Sequence, residues 1–338
     1  MGMENKTAQK KGITGSTLKI TACVLMLIDH MGAVLLEGLL RTKMTSAVMD
    51  LEQQQDFLSR YGTIYYLDLA MRLMGRLAFP IFCFLLLEGF SHTRNLKKYV
   101  FHLGLFALIS EIPFNLAFTT ALGAHLQYGL FYPDYQNVFF TLLLSLLTLC
   151  GYRYLKEHRE CYTAGRGGKL LAVVAGILGD AFISYFIAKS LGDYLTVFDT
   201  DQQWVVWLLA AIFFVLILFM VGIYAKKHGG AGALNLSCDL AVLALGIWSA
   251  EFLKTDYAGI GILTVAAMYY FRENKEKSMA WGCAILTIFN PMEVTAFLAL
   301  LLVKRYNGER GLKMKYFFYV FYPAHLFILY LISCWMIG

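Results

Sequence analysis

The sequence predicts an all-α fold: a polytopic transmembrane bundle of about ten helices. Three observations carry that prediction. Of 338 residues, 59% are hydrophobic and only 15% charged, where a soluble domain carries about a quarter charged residues. Apolar runs recur from Leu18 to Ile337, and a run of about 18 or more is what a membrane helix needs. Loops rich and poor in Lys/Arg alternate between the runs, the asymmetry that sets membrane orientation.

The spans follow in order. Residues 1–17 read as a cytoplasmic tail with Lys6, Lys10 and Lys11, and 18–338 as one integral membrane domain, since no Pro/Ser/Gly-rich linker interrupts it. The first span, 18–40, continues through Asp29-His30 with no small-residue cleavage site, so it reads as a retained helix rather than a signal peptide. A loop with Asp50, Glu52 and Asp56 leads to the second span, 69–90, and Arg94, Lys97 and Lys98 lead into the third, 98–118. The fourth, 137–155, ends in a basic stretch from Arg153 to Lys169; the fifth and sixth are 170–190 and 204–224. Lys226-Lys227 precede the seventh, 236–253, and the eighth, 257–272, ends at another basic loop, Arg272 to Lys277. This alternation predicts a cytoplasmic N-terminus and residence in the plasma (inner) membrane.

The ninth segment, 279–304, raises a conflict. The loop after it carries Lys304, Arg305, Arg310, Lys313 and Lys315, yet a single crossing would place those charges outside. Asn290-Pro291 interrupts the segment, and proline removes a backbone donor and disfavours helix before it. Two half-helices that go in and return would resolve the conflict, so ten crossings, or nine with a re-entrant hairpin, both fit. The last span is 315–336.

Composition excludes some functions. The seven cysteines are scattered with no CxxC or His/Cys ligand spacing, so neither disulfides nor a metal site is expected. The net charge of +6 lies in short loops where topology explains it, so no nucleic-acid partner is expected. Membrane lipids are the evident partners; a homo-oligomer stays open.

Polar groups at membrane depth point to chemistry. His30 lies eleven residues beyond Lys19, so about 16 Å into a core of about 30 Å. Arg72 and Arg76 share a helix face, Asp180 and His325 reach the same level from other spans, and Glu111 and Glu293 lie near proline breaks. Each such group costs about 2.5–3.5 kcal/mol if it faces lipid alone, so they face one another and mark a site or pathway. Structural pairing is the plain alternative for each, with Arg72 or Arg76 neutralising Glu111 or Asp29. Asp29 points about 100° away from His30, so it pairs with Arg76 or binds a different group rather than orienting His30. A mid-membrane histidine beside arginines suits acyl transfer, with the base taking a proton and the cation opposing an oxyanion. An ion-coupled carrier uses the same kinds of groups.

The stretch "LKITACVLMLIDHMGAVL" resembles the first helix of the TraX family, the membrane proteins that include the conjugal pilin acetyltransferase. "MRLMGRLAFPIFCFLLLEGFSHTRNLKKY", "LFALISEIPFNLAF", "QNVFFTLLLSLL", "TDYAGIGIL", "NGERG" and "KYFFYVFYPAHLFILYL" extend the resemblance in the same order over 18–40, 69–149 and 254–335. That family is similar to the acyltransferase-3 superfamily, in which an arginine stands eleven residues before a first-helix histidine; Lys19 and His30 meet that spacing with Lys for Arg. The resemblance implies an acyltransferase-3-like fold, acetyl-CoA as cytoplasmic donor and His30 as catalytic residue. It leaves the acceptor open among peptide, glycan and lipid head group.

The expected roles are these. His30 acts as base or acyl carrier, with Asp29, Arg76 and His325 completing the catalytic group. Lys19, Arg72, Arg94, Lys97 and Lys98 hold the acetyl-CoA side. Glu111 and Asn115 lie on the acceptor side, with Glu111 binding an amine or orienting Arg76. The competing expectations are a solute- or proton-coupled transporter and a non-catalytic assembly factor.

Overall fold

A computed structural model describes residues 12–44, 50–121, 135–195 and 203–337. Lys6, Lys10 and Lys11 of the predicted tail lie outside the described residues. Those described form an all-α membrane bundle; apart from two isolated bridges, Ile13 to Tyr306 and Gln136 to Thr255, they contain no β structure. Among the described residues, seven helical stretches are long and apolar enough to cross a membrane.

Helix α1 (Gly15–Met31) starts at Thr14, whose hydroxyl accepts the Thr17 N–H. It runs on through a π turn, Gly32–Leu36, into α2 (Glu37–Lys43). The expected loop before the second span is instead mostly helix. Helix α3 (Leu51–Gly75) begins at Asp50, which forms a reciprocal capping box with Gln53, a pairing that satisfies two otherwise orphan donors. The expected second span is also broken: Arg76 and Leu77 form a turn before α4 (Ala78–His92). Next come α5 (Leu96–Ala121), α6 (Val138–Glu157), the short α7 (Glu160–Thr163) and α8 (Arg166–Leu195).

Helix α9 (Gln203–Phe252) has 50 residues, about 75 Å at 1.5 Å each, far more than one bilayer crossing. Gly229 breaks it at φ 73°, a conformation glycine adopts without a Cβ penalty. Along α8, Gly192 meets Val206, whereas Gly176 meets Ser237 and Gly179 meets Ala241. The two arms therefore run in opposite directions, a hairpin that matches the sixth and seventh predicted spans.

Helices α10 (Ala258–Tyr270) and α11 (Lys275–Phe289) follow. The chain then turns at Asn290 into a 3₁₀ segment, Pro291–Leu298, and α12 (Ala299–Lys304). Cys283 Sγ donates to the Ala296 carbonyl at 3.3 Å, and Lys275 Nζ donates to the Lys304 carbonyl at 3.2 Å. The ninth predicted segment thus goes in and comes back, and its basic loop joins the face of Arg272 and Lys275. The start of α1 packs on that loop, with Gly15 and Ser16 N–H groups donating to the Glu309 and Arg310 carbonyls. Helix α13 (Lys315–Ile337) closes the bundle.

One core lies among α4, α6, α10 and α11, around Ile81, Leu146, Ile262 and Met279. A second joins α1, α5 and α13 through Met26, Phe114, Tyr322 and Leu326. Trp204, Trp207, Phe219 and Met220 on α9 are exposed, as lipid-facing side chains of a membrane helix are.

Candidate active site

The second core holds the two mid-span histidines. His30 lies in the last turn of α1, just before the π turn, a helix irregularity frequently found at functional sites. Its Nδ1 lies 2.8 Å from His325 Nε2 on α13. The ring planes differ by 7° with centroids 5.0 Å apart, so the rings meet edge to edge in nearly one plane. His325 Nδ1 lies 2.8 Å from the Phe321 carbonyl. A carbonyl only accepts, so Nδ1 of His325 carries hydrogen. With both rings neutral, His325 Nε2 then accepts from His30 Nδ1–H. That assignment leaves the lone pair of His30 on Nε2, which has no hydrogen-bond partner among the described residues. Phe118 packs edge-on against His30 at 5.6 Å, and Phe321 covers His325 at 4.9 Å.

A charged layer adjoins the pair. Arg72 Nη1 donates to Asp29 Oδ2 at 2.7 Å and reaches the Asp29 carbonyl at 3.4 Å. Arg76 Nη1 meets Glu293 Oε1 of the 3₁₀ segment at 3.2 Å. Gly75 makes this layer possible, because a Cβ there would lie 2.2 Å from Asp29 Cβ. Thr295 Oγ1 donates to the Leu73 carbonyl at 2.7 Å and fastens the 3₁₀ segment to α3. Asp29 Oδ1, Asp68 Oδ1, Glu293 Oε2 and Arg76 Nε are buried without a hydrogen-bond partner among the described residues.

The link from α9 to α10 brings two groups that the sequence reading did not single out. Asp256 accepts from the Tyr135 hydroxyl at 3.1 Å. Burial pushes its carboxyl up to about 6, against the stabilising Tyr135 bond, and Asp29 and Arg76 are among its electrostatic neighbours. Tyr257, at φ 60°, stacks on Phe79 with centroids 3.7 Å apart. Three non-glycine residues with positive φ in five positions, Lys254, Tyr257 and Ala258, mark strain of the kind that clusters at functional sites. Both lie in the stretch "TDYAGIGIL" that carries part of the family resemblance, where the sequence shows an acid-aromatic pair in a short link.

On the basic face a cavity of about 750 Å³ opens between α1, α4, α5, α6 and α13, within the ~300–1,000 Å³ of ligand sites. Lys19, Arg94, Lys98 and Arg310 line its mouth, and Met26, Phe139 and Tyr322 its inner end. Tyr322 also touches both histidines, at 6.1 and 5.6 Å between ring centroids.

The structure therefore brings together His30, His325, Asp29, Arg72 and Arg76 as one layer. It pairs Asp29 with Arg72 rather than with Arg76. Of the residues expected on the donor side, Lys19, Arg94 and Lys98 line the cavity, whereas Arg72 and Lys97 do not. Arg310 and His92 join that lining unforeseen; one lies in a basic loop and the other ends α4 beside one, positions that plain topology explained. Glu111 does not reach Arg76: its Oε2 accepts from Asn137 Nδ2 at 2.6 Å and its Oε1 from Asn115 Nδ2 at 3.2 Å. Asp180 bonds Ser184 on its own helix.

The family described as TraX protein matches over residues 14–190 and 181–333. A probable fimbrial assembly protein FimC, serogroup H1, of Dichelobacter nodosus is 43% identical over 82 residues, which is 23% of this chain and 32% of that protein. The chain thus matches about a third of the length of this curated relative. No solved structure matches the chain.

Proposed function

The chain belongs to the TraX family, and from that membership and its paired histidines we propose that it is a membrane-embedded acyltransferase. It moves acetyl from cytoplasmic acetyl-CoA to an amine or hydroxyl of a membrane-associated or extracytoplasmic acceptor. The observation that carries this reading is the His30–His325 pair, whose tautomers leave a free lone pair on His30 Nε2. The bundle is read as acyltransferase-3-like with about ten membrane segments, in the plasma membrane with a cytoplasmic N-terminus. Positive loops on the cavity side support that orientation.

The mechanism follows from the geometry. The phosphates of the donor rest against Lys19, Arg94, Lys98 and Arg310, cations suited to phosphate oxygens. The thioester extends along the cavity toward the histidines. His30 Nε2 takes the proton from the acceptor nitrogen or oxygen as that atom bonds to the thioester carbon. Arg76, with an unpartnered Nε, opposes the charge that develops on the carbonyl oxygen. The C–S bond then breaks, and the departing sulfur takes the proton back from His30 to leave as the free thiol. His325 holds the ring and stabilises the imidazolium. The relative's printed name makes a fimbrial polypeptide one acceptor class to test.

Binding and transfer test the proposal together. Purified protein should retain radiolabelled acetyl-CoA and release labelled acetate or acetylated acceptor, and His30→Ala should keep binding but lose at least 100-fold in turnover, the low end of general-base effects. A folded His30→Ala protein with full turnover contradicts the assignment. A second reading has its own support: the ion pairs Asp29–Arg72 and Arg76–Glu293 lie beside a broken, re-entrant segment, as in carriers. It predicts solute flux in proteoliposomes with no acyl-CoA present.

A further inference from the structure

The cavity stops one side-chain layer short of the histidines, and two helices show the same register. On α1, Gly15, Lys19, Cys23 and Met26 line the cavity. His30 continues that face one turn deeper, at spacings of four, four, three and four. On α13, Phe318 and Tyr322 line the cavity, and His325 stands three residues on. Met26 and Tyr322 are thus the last cavity side chains on the two helices that carry the pair. Both are buried, at 8% and 2% exposure. Phe139 of α6 braces the Tyr322 ring, with centroids 4.7 Å apart. Beyond this floor, aromatic rings fill the space: Phe118 lies against His30 and Phe114 lies 4.7 Å behind Phe118.

We propose that Met26 and Tyr322 form the floor that fixes acyl-chain length, admitting an acetyl group to His30 and excluding longer chains. The inference rests on the reading of the cavity as an acyl-CoA site. A thioester whose carbonyl reaches His30 must pass its acyl group by the Tyr322 ring. A longer chain runs into the rings of Phe118 and Phe114, which already pack behind His30. The Tyr322 ring is the bulk in the way, so its volume rather than its hydroxyl sets the limit.

Two readouts test this with purified full-length protein. The first is the ratio of turnover with acetyl-CoA to turnover with hexanoyl-CoA. The second is the shift in unfolding temperature caused by non-transferable ketone analogues of the same two thioesters. Wild-type protein should favour the acetyl member in both. Tyr322→Ala should lower the turnover ratio tenfold or more and move the thermal preference toward the longer analogue, and Tyr322→Phe should keep the wild-type ratio. Met26→Ala, a smaller change in the same layer, should shift both readouts in the direction of Tyr322→Ala and serves where the tyrosine variant does not fold. Unchanged chain-length preference in the folded alanine variants overturns the floor but leaves the acyltransferase reading standing. Wild-type protein that neither binds nor turns over either thioester overturns that reading, and the floor with it.

Discussion

At the scale of single residues, the sharpest consequences come from groups buried without alternatives. Glu293 is 2% exposed and its ion-pair partner in the described residues is Arg76. Removing one partner of a buried pair strands the other charge, at a cost of about 3–5 kcal/mol. Arg76→Ala should therefore lower the unfolding temperature in detergent markedly, and Glu293→Gln in the same chain should recover part of the loss. Gly75→Ala drives a Cβ into Asp29, an overpacking of the kind that costs about 1–3 kcal/mol, and should weaken both stability and activity. An unchanged melting curve for Gly75→Ala would show that α1 and α3 have room to separate. The sequence displayed His30, His325, Arg72 and Arg76 plainly, because ionisable groups stand out in apolar runs. It hid their partners: the choice between Arg72 and Arg76 for Asp29 depends on helix rotation, and Asp256 enters from a link whose path no periodicity encodes.

At the scale of helices, the joints decide the site. Asn137 caps α6 and donates to Glu111 of α5, so Glu111 anchors the start of the helix that carries Phe139. Asn137→Ala removes a cap worth about 0.5–2 kcal/mol and leaves a buried carboxylate oxygen short of a donor. Its unfolding temperature should fall by more than that of an exposed cap such as Asn274→Ala, which sits on α11. Equal losses would deny Glu111 its anchoring role. The Asn290-Pro291 reversal was readable, since loop charge and proline agreed. The helical course of 51–68 could have been read from the Asp50–Gln53 box, but the low hydropathy of that stretch favoured a loop. The π turn after His30 left no signal, because Gly-Ala-Val-Leu-Leu suits an ordinary helix equally well.

At the scale of the whole molecule, the reversal at Asn290 brings the basic loops together on one face and places the cavity mouth among them. If that face is cytoplasmic, Cys161, the exposed cysteine among the described residues, should react with a membrane-impermeant thiol reagent in inside-out vesicles and not in intact cells. The reverse pattern would turn the donor entrance outward and contradict the orientation. Loop charges made this arrangement legible; the cavity was not, because it arises from five helices meeting. The central claim remains the histidine pair, and the pH dependence of single-turnover acetyl transfer tests it most directly. Wild-type rates should rise with pH as the base loses its proton. His325→Ala should move the midpoint of that curve and slow the step, and His30→Ala should abolish the curve. A wild-type profile retained in His30→Ala protein that still binds acetyl-CoA would contradict the account.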